Sequence, residues 1–114
     1  MFLDITERAQ QKIKHACSRH QGQLVLYYES RIGCTCGNNG IFLLKITQKN
    51  DPELDSTLPT SLGDLPIQGW SLSFLDEKMK LDYIQSKNAL VLSSDSGLIN
   101  NNVLILNDDD QPIS

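Results

Sequence analysis

The apolar residues of this 114-residue chain follow a helical spacing in one segment, near the N-terminus. That segment predicts a helix over about residues 6–20. Four apolar positions share one face at a period of about 3.6 residues: Ala9, Ile13, Ala16 and Cys17. Asp4 and Thr6 are residue types that cap helix N-termini, and Gly22 is typical of a helix end. A chain with one such segment must build the rest of its core from other elements.

The remaining apolar residues fall in short runs, which predict strands. The first two runs, over 24–28 and 41–46, are separated by a turn segment and predict a long-looped hairpin. Further strand candidates lie between turn signals in the second half of the chain: residues 70–74, 80–84, 89–92 and 102–106. One N-terminal helix with these strands predicts an α+β fold in which most strand pairs are antiparallel.

The segment from Gln48 to Gly69 is rich in Asp, Pro, Ser, Thr and Gly. Its prolines interrupt regular structure, so we expect a loop or a set of short pieces. Long structureless loops are uncommon inside compact domains. We therefore expect its leucines to anchor it to the core: Leu54, Leu58, Leu62 and Leu65. No repeat or linker divides the chain, and residues 1–114 are expected to form one domain.

Composition and charge limit the classes of function. The formal net charge is −4, and three acidic residues adjoin at 108–110. We find no basic stripe in the sequence, so nucleic acid is not expected as a partner, since sequence-independent binding needs clustered Lys and Arg. The N-terminal residues do not resemble a signal peptide. No apolar run reaches the roughly 20 residues that span a bilayer. A cytoplasmic protein without a membrane partner is expected.

The most chemically specific feature is a pair of cysteines, Cys34 and Cys36, in the sequence Gly33-Cys34-Thr35-Cys36-Gly37. Soft thiolates select zinc, copper(I) and iron–sulfur clusters. Glycine permits backbone conformations that aim N–H groups at sulfur. In a reducing compartment, two close thiols are more typical of a metal or redox site than of a disulfide scaffold. Cys34 and Cys36 are therefore the candidate metal and cofactor ligands.

Two thiolates do not complete such a site. Zinc takes four ligands, or three and a water, and the common iron–sulfur clusters take four cysteines. Cys17 is expected in the core, and His15 and His20 are expected to be structural or solvated. A homodimer would place four thiolates about one symmetry axis. Two alternatives remain: a strained, easily reduced disulfide between Cys34 and Cys36, and a turn that binds nothing.

The order of three motifs resembles a known family. The chain opens with Ile5-Thr6-Glu7-Arg8-Ala9, continues through a strand to the Gly33-Cys34 turn, and later carries Asp82-Tyr83. These features resemble the HesB-like, or IscA-like, A-type iron–sulfur family. Its members have an Ile-Thr-x-x-Ala helix, a Gly-Cys turn and an Asp-Tyr pair in a later strand. The resemblance implies a HesB-like domain, a small sandwich or half-barrel against which the helix packs. It also implies binding of an iron–sulfur cluster or iron and delivery to apo-proteins, with Cys34 at the family's first cysteine position.

The chain departs from this family near its C-terminus, where typical carriers have a Cys-x-Cys. Residues 92–100 contain no cysteine. We therefore expect an offshoot in which Cys34 and Cys36 hold an iron–sulfur cluster, with apo-protein recipients or assembly scaffolds as partners. The alternatives are a thiol redox or zinc-binding module, and an interaction domain that has kept the fold and lost cluster binding. No P-loop, dinucleotide fingerprint or nucleophile–base pair appears, so an enzyme is not expected.

Overall fold

The computed structural model describes residues 1–29, 41–109 and 111–113. One α-helix and a series of strands make up most of these residues. In chain order they are β1 (Phe2–Ile5), α1 (Glu7–Arg19), β2 (Gln23–Glu29), β3 (Ile41–Thr47), β4 (Ser56–Thr60), β5 (Gly63–Ile67), β6 (Lys78–Ile84), β7 (Ala89–Ser94), β8 (Gly97–Val103) and β9 (Ile105–Leu106). Short 3-10 helices at Gly69–Phe74 and Gln85–Lys87 precede and follow β6.

The strands form two sheets. The larger has the order β5-β4-β1-β6-β7-β8, and the smaller has the order β2-β3-β9. Four strand pairs are antiparallel: β2 with β3, β4 with β5, β6 with β7, and β7 with β8. β1 runs parallel to both β4 and β6, and β3 runs parallel to β9. The predicted α+β class with mostly antiparallel pairing is confirmed.

Helix α1 forms where the sequence predicts it. Its N-cap is Thr6, whose side-chain oxygen accepts a hydrogen bond from the Ala9 N–H at 3.3 Å. This bond satisfies one of the N–H groups that a helix leaves unpaired at its N-terminus. Ala9, Ile13 and Ala16 are fully buried, and Cys17 packs partly buried against the same core. The predicted apolar face is therefore confirmed.

One apolar core joins α1 to both sheets. Leu3 and Ile5 of β1 lie in it with Leu81 of β6, and Leu26 and Leu44 contribute from the smaller sheet. Burial of each such side chain stabilises the fold by about 1.5–3 kcal/mol relative to exposure. This shared core fixes the smaller sheet, and so the β2–β3 hairpin, against the rest of the domain.

The predicted strand at 70–74 is wrong, because these residues form a 3-10 helix. The serines that alternate with apolar residues here bond to nearby backbone carbonyls and do not mark the exposed face of a strand. Ser71 donates from both its N–H and its hydroxyl to the Gln68 carbonyl, at 3.0 and 2.8 Å. The Ser73 hydroxyl donates to the Trp70 carbonyl at 3.1 Å. Bonds of this kind to residue i−3 offer the backbone an alternative to a strand ladder.

Part of the proline-rich segment forms a hairpin, β4–β5. Pro66 is tolerated because β5 is an edge strand, where a missing N–H need not break a ladder bond. Leu58 and Leu65 are buried in the core, as expected, and Leu62 packs against it. The sequence analysis missed β1, which has only four residues. It also joined β8 and β9, which belong to different sheets.

Candidate functional site

The candidate ligands Cys34 and Cys36 lie outside the residues that the structure describes. They belong to the segment that joins β2 to β3. These two strands are paired in antiparallel register along their whole length, as far as Glu29 and Ile41. The predicted pairing of the two strands is confirmed, and Glu29 and Ile41 are the described residues that flank the cysteine-bearing segment in the sequence.

An aromatic cluster lies beside these strand ends and consists of Tyr28, Phe42, Trp70 and Phe74. The centroid of the Tyr28 ring is 4.8 Å from that of Phe42, its cross-strand partner. The Tyr28 centroid lies 5.6 Å from Trp70 and 5.0 Å from Phe74. Trp70 and Phe74 are 48% and 55% exposed. The cluster thus presents aromatic surface next to the start of the 30–40 segment.

Gln68 fixes the edge of the smaller sheet at this position. It is fully buried, and its side-chain amide pairs with both polar groups of the Tyr28 backbone. Oε1 accepts from the Tyr28 N–H at 2.9 Å, and Nε2 donates to the Tyr28 carbonyl at 3.0 Å. An edge strand otherwise leaves such groups unpaired. Because the Gln68 carbonyl also accepts from Ser71, this one residue links β2 to the helix that carries Trp70.

The three other candidate metal ligands lie on or next to α1. Burial raises the pKa of the Cys17 thiol, which disfavours the thiolate that binds metals. His15 is exposed, and His20 is half-buried at the C-cap of the helix. In the described part of the chain, no three His, Cys, Asp or Glu side chains are grouped so that they could hold a metal ion. Cys17 packs partly buried against the core, so the prediction that it belongs to the core is confirmed in part.

An open cleft of about 370 Å³ lies on β2 and β3, and its lining includes Tyr27, Lys45, Asp51 and Asp108. The Lys45 Nζ lies 4.5 Å from the centroid of the Tyr27 ring, within the range of a cation–π contact. Burial, and then the nearby carboxylate of Glu53, raises the pKa of Tyr27 to about 12. The phenol is therefore protonated at neutral pH, and its hydroxyl donates a hydrogen bond to the Glu53 carboxylate at 3.3 Å.

Asp82 of β6 receives three donors from around the N-terminus of α1. They are the Thr6 hydroxyl at 2.8 Å, the Arg8 guanidinium at 3.0 and 3.2 Å, and the Tyr83 N–H at 2.8 Å. Burial raises the pKa of Asp82, but the bonds from Thr6 and Tyr83 and the charge of Arg8 together bring it below its ordinary value. Asp82 is therefore ionised at neutral pH and holds α1 to the larger sheet.

A family model described as iron-sulphur cluster biosynthesis matches residues 1–107. The chain belongs to this family. The match includes the cysteine pair and the Asp82-Tyr83 pair, and it confirms the resemblance noted in the sequence. Among curated proteins, no significant match is found.

Two solved structures share the fold of this family member. One, from Lactobacillus salivarius, has a TM-score of 0.77 and 18% identity, and the match covers 94% of this chain and 98% of that one. The other, from Lactobacillus acidophilus, has a TM-score of 0.70 and 23% identity, and the match covers 96% of this chain and 91% of that one. Both are described as proteins provisionally assigned to Fe-S biosynthesis.

Two of the family's sequence features meet in this member, at Thr6 and Asp82. Sequence reasoning noted both features but missed their contact. Residues 92–100, where typical carriers have two cysteines, form the end of β7, a turn and the start of β8. No helix in the described residues combines the length and apolar character needed to cross a membrane.

Proposed function

We propose that this protein binds an iron–sulfur cluster, or iron, through the thiolates of Cys34 and Cys36. We further propose that it acts in cluster assembly or delivery rather than as an enzyme. The observation that carries the proposal is the family match, which spans the segment that holds both cysteines. The partners of such a protein are apo-protein recipients and assembly scaffolds, and its compartment is the cytoplasm.

The donor chemistry of the cysteine pair supports this cargo. Thiolates are the usual ligands of iron–sulfur clusters, and a cluster normally takes four. One chain offers two, and the thiol of Cys17 is disfavoured as a ligand by its burial. A homodimer about a two-fold axis would supply four thiolates from two identical segments. The cluster then lies between two copies of the chain.

The setting of the segment supports the same proposal. The strands on either side of it in the sequence are paired along their whole length, and the aromatic cluster includes residues of both strands. Apolar surface around a metal site limits water and so protects a cluster from hydrolysis and oxidation. The paired residues Glu29 and Ile41 flank the segment that carries the two cysteines in the sequence.

Anaerobic reconstitution of the full chain with ferrous iron and sulfide tests the proposal. We expect visible absorbance that bleaches in air, and a dimer on a sizing column. A [2Fe–2S] cluster shared by two chains corresponds to about one iron per chain. The Cys34→Ser/Cys36→Ser double variant is expected to lose both colour and bound iron.

Cys17→Ala is the matched control, because it removes a thiol of the same chain that packs against the core. It is expected to keep full loading. Full loading in the double variant would refute the role of the pair. Colourless binding of zinc would favour a zinc module, and reversible oxidation within a monomer would favour a redox module. Retained partner binding without any metal would indicate an interaction domain.

A further inference from the structure

Helix α1 concentrates positive charge in an acidic protein. It carries four basic residues, Arg8, Lys12, Lys14 and Arg19, against the single acidic residue Glu7, a net charge of +3. The rest of the chain has six basic and thirteen acidic residues, a net charge of −7. The helix is therefore a region of opposite sign to the rest of the molecule.

Most of this charge lies in one stripe. Arg8, Lys12, His15 and Arg19 are spaced four, three and four residues apart, which places them on one flank of the helix. The flank adjoins the buried face formed by Ala9, Ile13 and Ala16. The sequence analysis found no basic stripe, and the folded helix corrects this, because residues scattered in the linear sequence align at the helical period.

The stripe borders a groove of about 380 Å³ between α1 and the end of β6. Its lining consists of Arg8, Gln11, Lys12, His15, Tyr83 and Gln85. Arg, Lys, Gln and His side chains all offer N–H donors, and none of the described residues that line the groove carries a carboxylate. The Lys12 Nζ lies 5.6 Å from the centroid of the Tyr83 ring, and the Tyr83 hydroxyl donates to Asn88 at 2.6 Å. The Tyr83 ring therefore forms part of one wall of the groove.

Asp82 forms an ion pair with Arg8, at 3.0 Å. Its carboxylate already accepts from Thr6, Arg8 and the Tyr83 N–H, and only 20% of its side chain is exposed. The Arg8 side chain is 65% exposed. A guanidinium has five N–H donors, so Arg8 retains donors for a ligand beyond its contact with Asp82.

We propose that this groove binds an acidic segment of a partner protein. One or two carboxylate side chains fit its volume and would be paired by Arg8 and Lys12, with His15 as a further donor. The net charge of −7 on the rest of the chain disfavours other approaches of an acidic partner, and this orients the encounter toward α1. A nucleic acid fits less well, because its backbone extends beyond the groove, and the chain outside α1 has a net charge of −7.

A fluorescein-labelled peptide of alternating glutamate and serine is the probe, with a glutamine–serine peptide as its matched control. Fluorescence anisotropy at low salt should show binding of the glutamate peptide alone, and added salt should weaken it. Lys12→Glu is expected to weaken binding about fivefold or more, since it reverses a paired charge. Lys78→Glu makes the same change of net charge at an exposed site of β6 and is expected to weaken binding less than about twofold.

His15→Glu is the second variant, because His15 is exposed and its replacement should not disturb folding. It too should weaken binding. Equal losses in Lys12→Glu and Lys78→Glu would overturn the proposal, as would no binding by the wild-type chain. Tighter binding of a single-stranded oligonucleotide would favour nucleic acid, and self-association that Lys12→Glu abolishes would favour a second copy. Unchanged peptide binding in Cys34→Ser/Cys36→Ser separates this groove from the cluster site.

Discussion

The Thr6 hydroxyl donates a hydrogen bond to Asp82 at 2.8 Å while it accepts one from the Ala9 N–H at 3.3 Å. One hydroxyl thus caps α1 and ties the cap to β6. The Thr6 N–H donates to the Leu81 carbonyl at 3.0 Å, so the backbone at this point also bonds to β6. The Ile-Thr-x-x-Ala and Asp-Tyr features therefore form two halves of one contact between the helix and the larger sheet.

Removal of this hydroxyl should destabilise the protein. Thr6→Ala leaves the Ala9 N–H without its cap and Asp82 without one donor. Loss of an N-cap costs about 1 kcal/mol, and loss of a hydrogen bond to a charged group costs about 1.5–3 kcal/mol. We expect the free energy of unfolding to fall by at least about 2 kcal/mol, measured by urea denaturation.

Thr6→Ser is the matched control, because serine keeps the hydroxyl and is an equally good N-cap. It should retain most of the stability that Thr6→Ala loses. Equal losses in both variants would show that the methyl group of Thr6, rather than its two hydrogen bonds, stabilises this junction.

The depressed pKa of Asp82 predicts a dependence of stability on pH. A carboxyl group whose folded pKa lies below its unfolded value of about 3.9 stabilises the fold above that value. This contribution is lost as pH falls through the folded pKa. Asp82→Asn should therefore be less stable than wild type at neutral pH, and the difference should shrink below about pH 4. Denaturant titrations at several pH values measure it.

Asp95→Asn is the control for this series, because Asp95 lies exposed in the β7–β8 turn. Its stability at neutral pH should lie within about 0.5 kcal/mol of that of the wild type. Asp82→Asn should keep some acid sensitivity, since hydrogen bonds from the Gln48 N–H and the Thr47 hydroxyl also lower the pKa of Asp108. A constant difference between Asp82→Asn and wild type across the acid range would contradict the role given to the ionised Asp82.

The elements that the sequence predicted well are those governed by local pattern. Helix α1 and the β2–β3 hairpin have clear periodicity, and their observed bounds differ from the predicted ones by one residue at each end where they differ at all. The turn at Asn88 was also predictable, because asparagine is one of the residues that tolerate the left-handed backbone region. The backbone of Asn88 lies in that region, at φ 48°.

The elements that the sequence did not predict depend on tertiary context. β1 is too short to show a pattern, and it forms because β6 pairs with all four of its residues. The residues from Trp70 to Phe74 alternate like a strand, but their serines bond to the local backbone instead. β4 and β5 contain prolines that sequence rules treat as breaks, and the sheet accepts one at its edge.

The features of the candidate site also differ in whether local sequence could predict them. The cysteine pair was predictable because two thiols among glycines are a local motif. The contact of Thr6 with Asp82 joins residues 76 positions apart, and the basic groove needs both α1 and the end of β6. Neither can be deduced from local spacing, because each exists only after the helix has packed on the sheet.

The buried amide of Gln68 predicts a large loss of stability when it is removed. Gln68→Leu removes the two hydrogen bonds that the buried Gln68 amide makes to the Tyr28 backbone, and a net loss of about 0.5–1.5 kcal/mol is typical for each such bond. We expect a loss of about 2 kcal/mol in urea denaturation. Gln23 is an exposed glutamine on β2, the strand that carries Tyr28. Gln23→Leu should change stability by less than about 0.5 kcal/mol. Similar losses in both would argue against the backbone-pairing role.

Gly22 allows the chain to turn from α1 into β2 against the end of β3. Its φ is 142°, and a Cβ there would lie 2.7 Å from the Thr47 carbonyl oxygen. Gly63 also has positive φ, at 99°, but a Cβ there would meet no atom within 4 Å. Gly63→Ala should therefore cost only backbone strain, about 1 kcal/mol, whereas Gly22→Ala must also displace the Thr47 backbone. We expect Gly22→Ala to lose at least about 1 kcal/mol more, measured by urea denaturation of both variants. Equal losses would mean that strain alone, and not the close approach of Thr47, requires glycine at this turn.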